Sequence, residues 1–223
     1  MMHFLITVLD WSEVWALVIP IIVLIVRKKQ PSYFRPIIIY IWLALIVDIF
    51  IDIGSNYAGP VPHWLQPNTY LYNIHSVIRF ICFSKFFILL KQPSLIFIKK
   101  LIPFLSLGFV IINFVFFEDF FYYNSFSSRL FAIEAGLLLF YCLQYYLYSL
   151  HTESVKTYKQ RDFWLVTGLS IYVVFNFPYF LLYKSLIPNH RTFVQDMWNY
   201  HNVTFIILCI FIARAFYTSP QGN

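Results

Sequence analysis

Seven apolar runs, each long enough to cross a lipid bilayer as a helix, follow one another along the 223-residue chain. A transmembrane helix needs about 20 apolar residues to span a hydrocarbon core of about 30 Å. Only 12% of the residues are charged, against about 25% in an average soluble domain. We therefore predict an all-α, polytopic membrane protein with a single seven-helix transmembrane domain over residues 1–223. The predicted spans are 9–26, 34–53, 70–90, 97–117, 129–150, 162–183 and 197–217.

The positively charged residues indicate the direction in which the spans run. Cytoplasmic loops of membrane proteins carry an excess of lysine and arginine. The C-terminal end and the connections between spans 1 and 2, 3 and 4, and 5 and 6 hold 11 of the 16 lysines and arginines, whereas the opposite side holds 3. The sequence therefore predicts an N-terminus outside and a C-terminus inside.

The net charge of +6 arises from short basic clusters between the apolar runs. This distribution is typical of membrane loops rather than of a nucleic-acid-binding surface. The expected partner is the lipid bilayer, with no nucleic acid.

Ionisable and amide side chains gather in the outer leaflet of the predicted bundle. At about 1.5 Å per helical residue, Arg79 lies about 13 Å below the start of span 3, and His75 and Asp48 lie about 7 Å deep. Because intramembrane ionisable residues usually face the bundle interior and pair, Arg79 is expected to reach Glu134 or Asp48. The candidates for ligand binding or an interior ion pair are Arg79, Glu134, Asp48, His75, Asn176, Asn199, His201 and Asn202.

Two interpretations of this polar layer stay open. An arginine–carboxylate pair with several asparagines can hold helices together without binding anything. Alternatively, the layer forms a pocket for a small ligand or a partner helix. Arg79 would then be the charge anchor, and His75 and His201 would be pH-sensitive contacts. The concentration of polar side chains at one depth favours the pocket.

The sequence offers little support for catalysis. It contains no GxSxG, HExxH, Walker or GxGxxG pattern. Cys82, Cys142 and Cys209 lie inside apolar runs without CxxC spacing, so they are predicted to be buried side chains rather than disulfides or zinc ligands. His75 and His201 with a carboxylate would be the minimum for a zinc site. No metal or cofactor is expected.

Spans 3 and 7 share a local pattern that suggests an internal duplication. The segment YNIHSV (72–77) aligns with WNYHNV (198–203). Because spans 1–3 and 5–7 run in the same direction, a parallel 3+1+3 repeat is geometrically allowed, with span 4 as the linker. The identical pairs are Asn73 with Asn199, His75 with His201, and Val77 with Val203.

Three segments, LYNIHSVIRF (71–80), FWLVTGLSIY (163–172) and WNYHNV (198–203), resemble a group of small seven-span membrane proteins common in Bacteroidota. The resemblance implies a bacterial cytoplasmic (inner) membrane and supplies no activity. The size and the 3+1+3 layout also resemble SWEET and PQ-loop transporters, in architecture only. Such transporters need polar groups along both halves of the path, whereas the inner half here is apolar.

These features favour a receptor-like or scaffold module. Its outer-leaflet pocket would bind a small ligand or a partner helix of another membrane protein, and no output domain of its own is expected. A small-solute or proton-coupled transporter is the alternative, and a metal-dependent membrane hydrolase is the second alternative.

Overall fold

The computed structural model describes residues 8–9, 11–56, 69–90, 92, 95–120, 126–151, 160–186 and 191–218. For residues 53–56, 69 and 191–197 it describes the backbone only. These residues contain no strand and form seven α-helices of 15 residues or more, so the prediction of an all-helical chain is confirmed. The helices are α1 (Ser12–Val26), α2 (Arg35–Asn56), α3 (Thr69–Leu89), α4 (Ile96–Phe116), α5 (Ser128–His151), α6 (Arg161–Leu186) and α7 (Arg191–Tyr217).

Six of these helices, α2 to α7, are long and apolar enough to cross a membrane, by length and composition. Helix α1 has 15 residues, which gives a length of about 22 Å at about 1.5 Å per residue. It begins after a turn at Trp11, three residues later than the predicted run, and it contains Pro20. Buried Ser12 and Glu13 form its first turn, where an acidic side chain suits the unpaired backbone N–H groups.

Six helices form a closed ring of neighbours in the order α1, α2, α3, α5, α6 and α7, with α7 packed against α1. The approach of α6 to α7 depends on Gly168. A Cβ atom built at Gly168 would lie 2.4 Å from the Cβ of Phe211, far inside van der Waals contact. The absence of a side chain therefore lets these two helices pack closely.

Helix α4 lies outside this ring, against α3 and α5. Only 22% of its membrane-length segment is buried, against 44–56% for the other five long helices. Both of its ends are held by hydrogen bonds. Tyr141 donates to the carbonyl of Lys99 at 2.7 Å, and Asn113 donates to Ser127, directly ahead of α5, at 3.4 Å. Between these ends, α4 buries Ile102 and Ser106.

Aromatic side chains fill the end of the ring where α2 begins and where α3 and α7 end. The ring centroid of Phe34 lies 5.8 Å from that of Phe86 and 5.6 Å from that of Phe216. Phe87 stacks on Tyr141 at 5.0 Å. All five side chains are buried. The same end holds the polar contacts of Lys99 with Gln92 and of Arg161 with Gln30, whereas Arg79 and Glu134 lie towards the other end.

Candidate functional site

Arg79 and Glu134 form a bidentate ion pair between α3 and α5. Arg79 donates from Nε to Oε1 at 2.5 Å and from Nη2 to Oε2 at 2.8 Å, and Ser76 donates from Oγ to Oε2 at 2.5 Å. The rings of Tyr172 and Phe131 lie 5.0 and 5.7 Å from the guanidinium carbon. Arg79 and Glu134 are each 3% exposed. The two charges therefore compensate each other away from water, with charge-assisted hydrogen bonds on both carboxylate oxygens.

His75 bridges α3 to α2. Its Nδ1 lies 2.9 Å from Oδ1 of Asp48, and its Nε2 lies 3.3 Å from the hydroxyl of Tyr40. All three side chains are buried. A neutral ring satisfies both contacts if Nδ1 carries the proton and Nε2 accepts from the phenol. Both carboxylate oxygens of Asp48 are buried and neither accepts a well-aligned hydrogen bond among the described residues, so the 2.9 Å approach of His75 is a close contact of imperfect geometry.

His201 holds a similar place between α7, α6 and α1. Its Nδ1 lies 2.6 Å from Oδ1 of Asn176, and its Nε2 lies 3.4 Å from Oε1 of Glu13. The amide of Asn176 donates to the Tyr172 carbonyl at 2.7 Å and to Thr204 at 2.9 Å, which fixes the orientation of that amide. Both nitrogens of His201 therefore face oxygen atoms: Nδ1–H can donate to the Asn176 amide oxygen, and the contact with Glu13 needs one proton between Nε2 and the carboxyl group.

The structure brings six of the eight predicted residues into three contacts: Arg79 with Glu134, His75 with Asp48, and His201 with Asn176. The other two stand apart. Asn202 donates to the carbonyl of Leu9 at 3.0 Å, which ties α7 to the residues before α1. Asn199 is half-buried, and within the described part of the chain no hydrogen bond joins it to these three contacts.

Four contributors to the layer lie outside the set predicted from the sequence: Glu13, Tyr40, Ser76 and Tyr172. Glu13 could have been included, because it is a carboxylate at the edge of an apolar run, as Glu134 is. The tyrosines carry no such signal, since the chain has 17 of them. Ser76 is one helical turn from Arg79, which alone does not predict a shared partner.

A lateral crevice reaches the ion pair from between α3, α4 and α5. Its volume is about 220 Å³. Phe80, Phe104 and Leu107 belong to its apolar lining, and Ser76 and Glu134 supply polar atoms. The crevice therefore leads from the side of α4 between Pro103 and Val110 to the buried carboxylate.

A second polar cluster lies at the end of α4 beyond the span. Glu118 contacts Lys184 and accepts a hydrogen bond from Asn113 at 3.0 Å. Burial by itself would raise the pKa of the Glu118 carboxyl, but hydrogen bonds from Lys184, Ser127 and Asn113 outweigh it, and the pKa is lowered. Arg129 lies 4.0 Å from the same carboxylate. This cluster links the connection after α4 to α5 and α6.

Among the described side chains, no group of three or more His, Cys, Asp or Glu residues is placed to hold a metal ion. The three cysteines are all buried and free.

No protein-family model matches the chain. No curated protein and no solved structure matches it either.

Proposed function

We propose that this protein is a receptor-like integral membrane module whose lateral crevice binds a small amphiphilic ligand at the Arg79–Glu134 pair. The observation that carries the proposal is the crevice itself. It joins an apolar channel facing the membrane to a buried, already neutralised ion pair.

The lining of the crevice defines the chemistry of the ligand. Glu134 accepts one hydrogen bond on Oε1 and two on Oε2, whereas a carboxylate offers roughly four acceptor positions. One position therefore remains for a donor on the ligand. Because Arg79 balances the charge of Glu134, a neutral hydroxyl suits the site better than a cation.

The volume of the crevice limits the ligand to a short one. At about 30 Å³ per water-sized group, 220 Å³ accommodates about seven such groups. The rest of a longer chain would extend past Phe104, which is 72% exposed, into the surrounding lipid.

Helix α4 is the element that we expect to respond to the ligand. It is held at Lys99 and Asn113 near its two ends, while the crevice lies along the part between Pro103 and Val110. A ligand there would push the middle of α4 away from α3 and α5. Since most of α4 faces away from the rest of the chain, a partner helix could detect that movement.

We also propose that α1 crosses the membrane with the six longer helices, giving seven spans in a bacterial cytoplasmic membrane. Helix α1 packs against α2 and α7 within the ring, and its contact with His201 through Glu13 supports its place inside the bundle. The 11-to-3 distribution of basic residues supports an N-terminus outside.

The order of the ring supports the parallel 3+1+3 duplication. Exchanging α1 with α5, α2 with α6 and α3 with α7 maps every neighbouring pair in the ring onto another neighbouring pair. The same exchange relates two carboxylate contacts. Glu13 of α1 meets His201 of α7, and Glu134 of α5 meets Arg79 of α3.

The histidine contacts follow the same exchange. Nδ1 of His75 in α3 contacts an oxygen of Asp48 in α2, and Nδ1 of His201 in α7 contacts an oxygen of Asn176 in α6. His75 and His201 are the pair aligned in YNIHSV and WNYHNV. A local sequence match is thus accompanied by equivalent partners at Nδ1.

The histidine–carboxylate contacts also favour a second candidate, a proton-coupled carrier. Asp48–His75 and Glu13–His201 are buried acid–base pairs, and such pairs occur in membrane proton relays. Proteoliposomes under an imposed pH gradient separate the two functions. A carrier gives a proton flux that Asp48→Asn abolishes, and a receptor gives none.

The crevice is tested with a photoreactive octanol that carries a diazirine on its chain, followed by mass spectrometry of the labelled peptides. We expect saturable labelling of α3 and α4 that unlabelled octanol prevents. Ser106→Phe places a large ring in the crevice and should abolish this labelling.

Leu105→Phe is the matched control, because Leu105 is 61% exposed and lies outside the crevice lining. This variant should label as the unmodified protein does. Labelling that cannot be saturated, or that persists in Ser106→Phe, would remove the crevice as a binding site.

A further inference from the structure

A groove on the lipid-facing side of α2 and α3 ends at two cationic side chains. Its volume is about 590 Å³. Arg35 and Lys85 line it together with apolar residues of both helices. We propose that this basic groove binds one anionic phospholipid, with the phosphate between Arg35 and Lys85 and an acyl chain along the apolar part.

The two cations lie at the same end of the bundle. Arg35 is the first residue of α2, and Lys85 is four residues before the end of α3. Lys85 is therefore about 6 Å inside the helix end at about 1.5 Å per residue, within the distance that a lysine side chain covers when it extends towards the membrane surface. This places both charges at headgroup depth.

Arg35 and Lys85 have no carboxylate partner within the described part of the chain, where no salt bridge includes either side chain. Both side chains are exposed, whereas the buried Arg79 pairs with Glu134. A phosphate would supply the missing counter-charge and accept several hydrogen bonds.

The apolar part of the groove explains why the anion should be a lipid. Ile39 and Leu43 of α2 face Ile78 and Ile81 of α3 along it. Ile39 and Ile81 are 53% and 54% exposed. From Lys85 to Ile78 the groove follows α3 for about 10 Å at about 1.5 Å per residue. A free phosphate leaves this surface uncovered, whereas an acyl chain covers it.

Basic sites between transmembrane helices attract anionic lipids by about 1 kcal/mol for each lysine or arginine near the surface. Removing both charges should therefore weaken binding of an anionic lipid by roughly 30-fold. A zwitterionic lipid with the same acyl chains gains much less from the cations.

The experiment is native mass spectrometry of the full-length protein in detergent with added phosphatidylglycerol or phosphatidylcholine of identical chains. We expect tighter binding of phosphatidylglycerol, and roughly 30-fold weaker binding in Arg35→Gln/Lys85→Gln. Glycerol phosphate in large excess should not displace the lipid, because it has no chain for the groove.

Two further variants make the result specific. Lys28→Gln/Lys29→Gln removes the same charge from the neighbouring exposed connection and should leave the affinity nearly unchanged. Leu43→Trp keeps both cations and fills the apolar part of the groove without changing the lateral crevice, so it should weaken binding of either lipid. If the charge-removal variant fails to fold, Leu43→Trp still tests the groove.

Four results would overturn the proposal. Equal loss of binding in Lys28→Gln/Lys29→Gln would mean that charge acts non-specifically, and equal affinity for the two lipids would mean that the cations do not select the anion. Normal binding by Leu43→Trp would mean that the lipid lies elsewhere. Displacement by glycerol phosphate would assign the cations to a free phosphate and also reject the lipid.

Discussion

Replacing one partner of the Arg79–Glu134 pair should destabilise the protein more when the arginine is the partner left behind. An arginine stays protonated in a protein, so Glu134→Gln leaves a full positive charge buried among Tyr172 and Phe131. A carboxylate can take up a proton and become neutral. Arg79→Leu therefore leaves Glu134, which can become neutral by taking up a proton.

The expected magnitudes follow from the burial and bonding of the pair. Both side chains are 3% exposed, and three hydrogen bonds converge on the carboxylate. Breaking a buried ion pair typically costs about 3–5 kcal/mol, which we assign to Glu134→Gln. We expect about 2–3 kcal/mol for Arg79→Leu, because protonation of Glu134 recovers part of the cost. The double variant should lose about 1–2 kcal/mol, less than Glu134→Gln alone.

The assay is unfolding in detergent, followed with a fluorogenic thiol-reactive dye. Cys82, Cys142 and Cys209 are free and buried, so each reacts as the bundle opens and no reporter has to be introduced. The free energies of unfolding of the four proteins form a double-mutant cycle. An independent measure of helix content checks that each variant begins from the folded state.

The result that refutes this reasoning is additivity. If the double variant loses the sum of the two single losses within about 0.5 kcal/mol, Arg79 and Glu134 are not coupled and the site has no central ion pair. A larger loss for Arg79→Leu than for Glu134→Gln would refute the protonation argument alone.

Gly168→Ala should destabilise by about 1–3 kcal/mol, because its Cβ would meet Phe211 at 2.4 Å. In the control Gly108→Ala, no atom lies within 4 Å of the new Cβ, and the alanine should stabilise the protein by about 0.5–1 kcal/mol. An unfolding temperature that is higher for Gly168→Ala than for Gly108→Ala would contradict the packing of α6 on α7. Glu118 has a lowered pKa, so its contacts stabilise above its unfolded pKa of about 4.3 and are lost as the pH falls through the folded pKa. Since Lys184 is half-exposed, Glu118→Gln should cost only about 0.5–1 kcal/mol at neutral pH. This cost should disappear as the pH falls through the lowered folded pKa of Glu118, and a cost that does not decrease on acidification would show that charge is not the cause.

The fold could be predicted further than the site because apolar length is a local property. Runs of about 20 apolar residues need helices to satisfy their backbone in lipid, and six such helices are present. The peripheral position of α4 could not be predicted, since its run is as apolar as the others. The position of α4 depends on which of the other helices pack against each other to close the ring, as α6 and α7 do at Gly168.

Helical spacing gave the depth of each polar side chain but not its direction around the bundle. Arg79 could therefore be assigned to Glu134 or to Asp48 on depth alone, and the ring order places it against Glu134 while Asp48 contacts His75. The contact of Glu13 with His201 was missed for the same reason. It requires the first and the last helices to be neighbours, which no local pattern encodes.

The most direct test of the proposed site is infrared difference spectroscopy of the protein with and without octanol. If the hydroxyl donates to Glu134 in the crevice, octanol should shift a carboxylate stretching band, and labelling of glutamate with ¹³C should move that band. The shift should disappear in Ser106→Phe and remain in Leu105→Phe. A carboxylate spectrum that does not respond to octanol, or that responds equally in Ser106→Phe, would contradict binding at the Arg79–Glu134 pair.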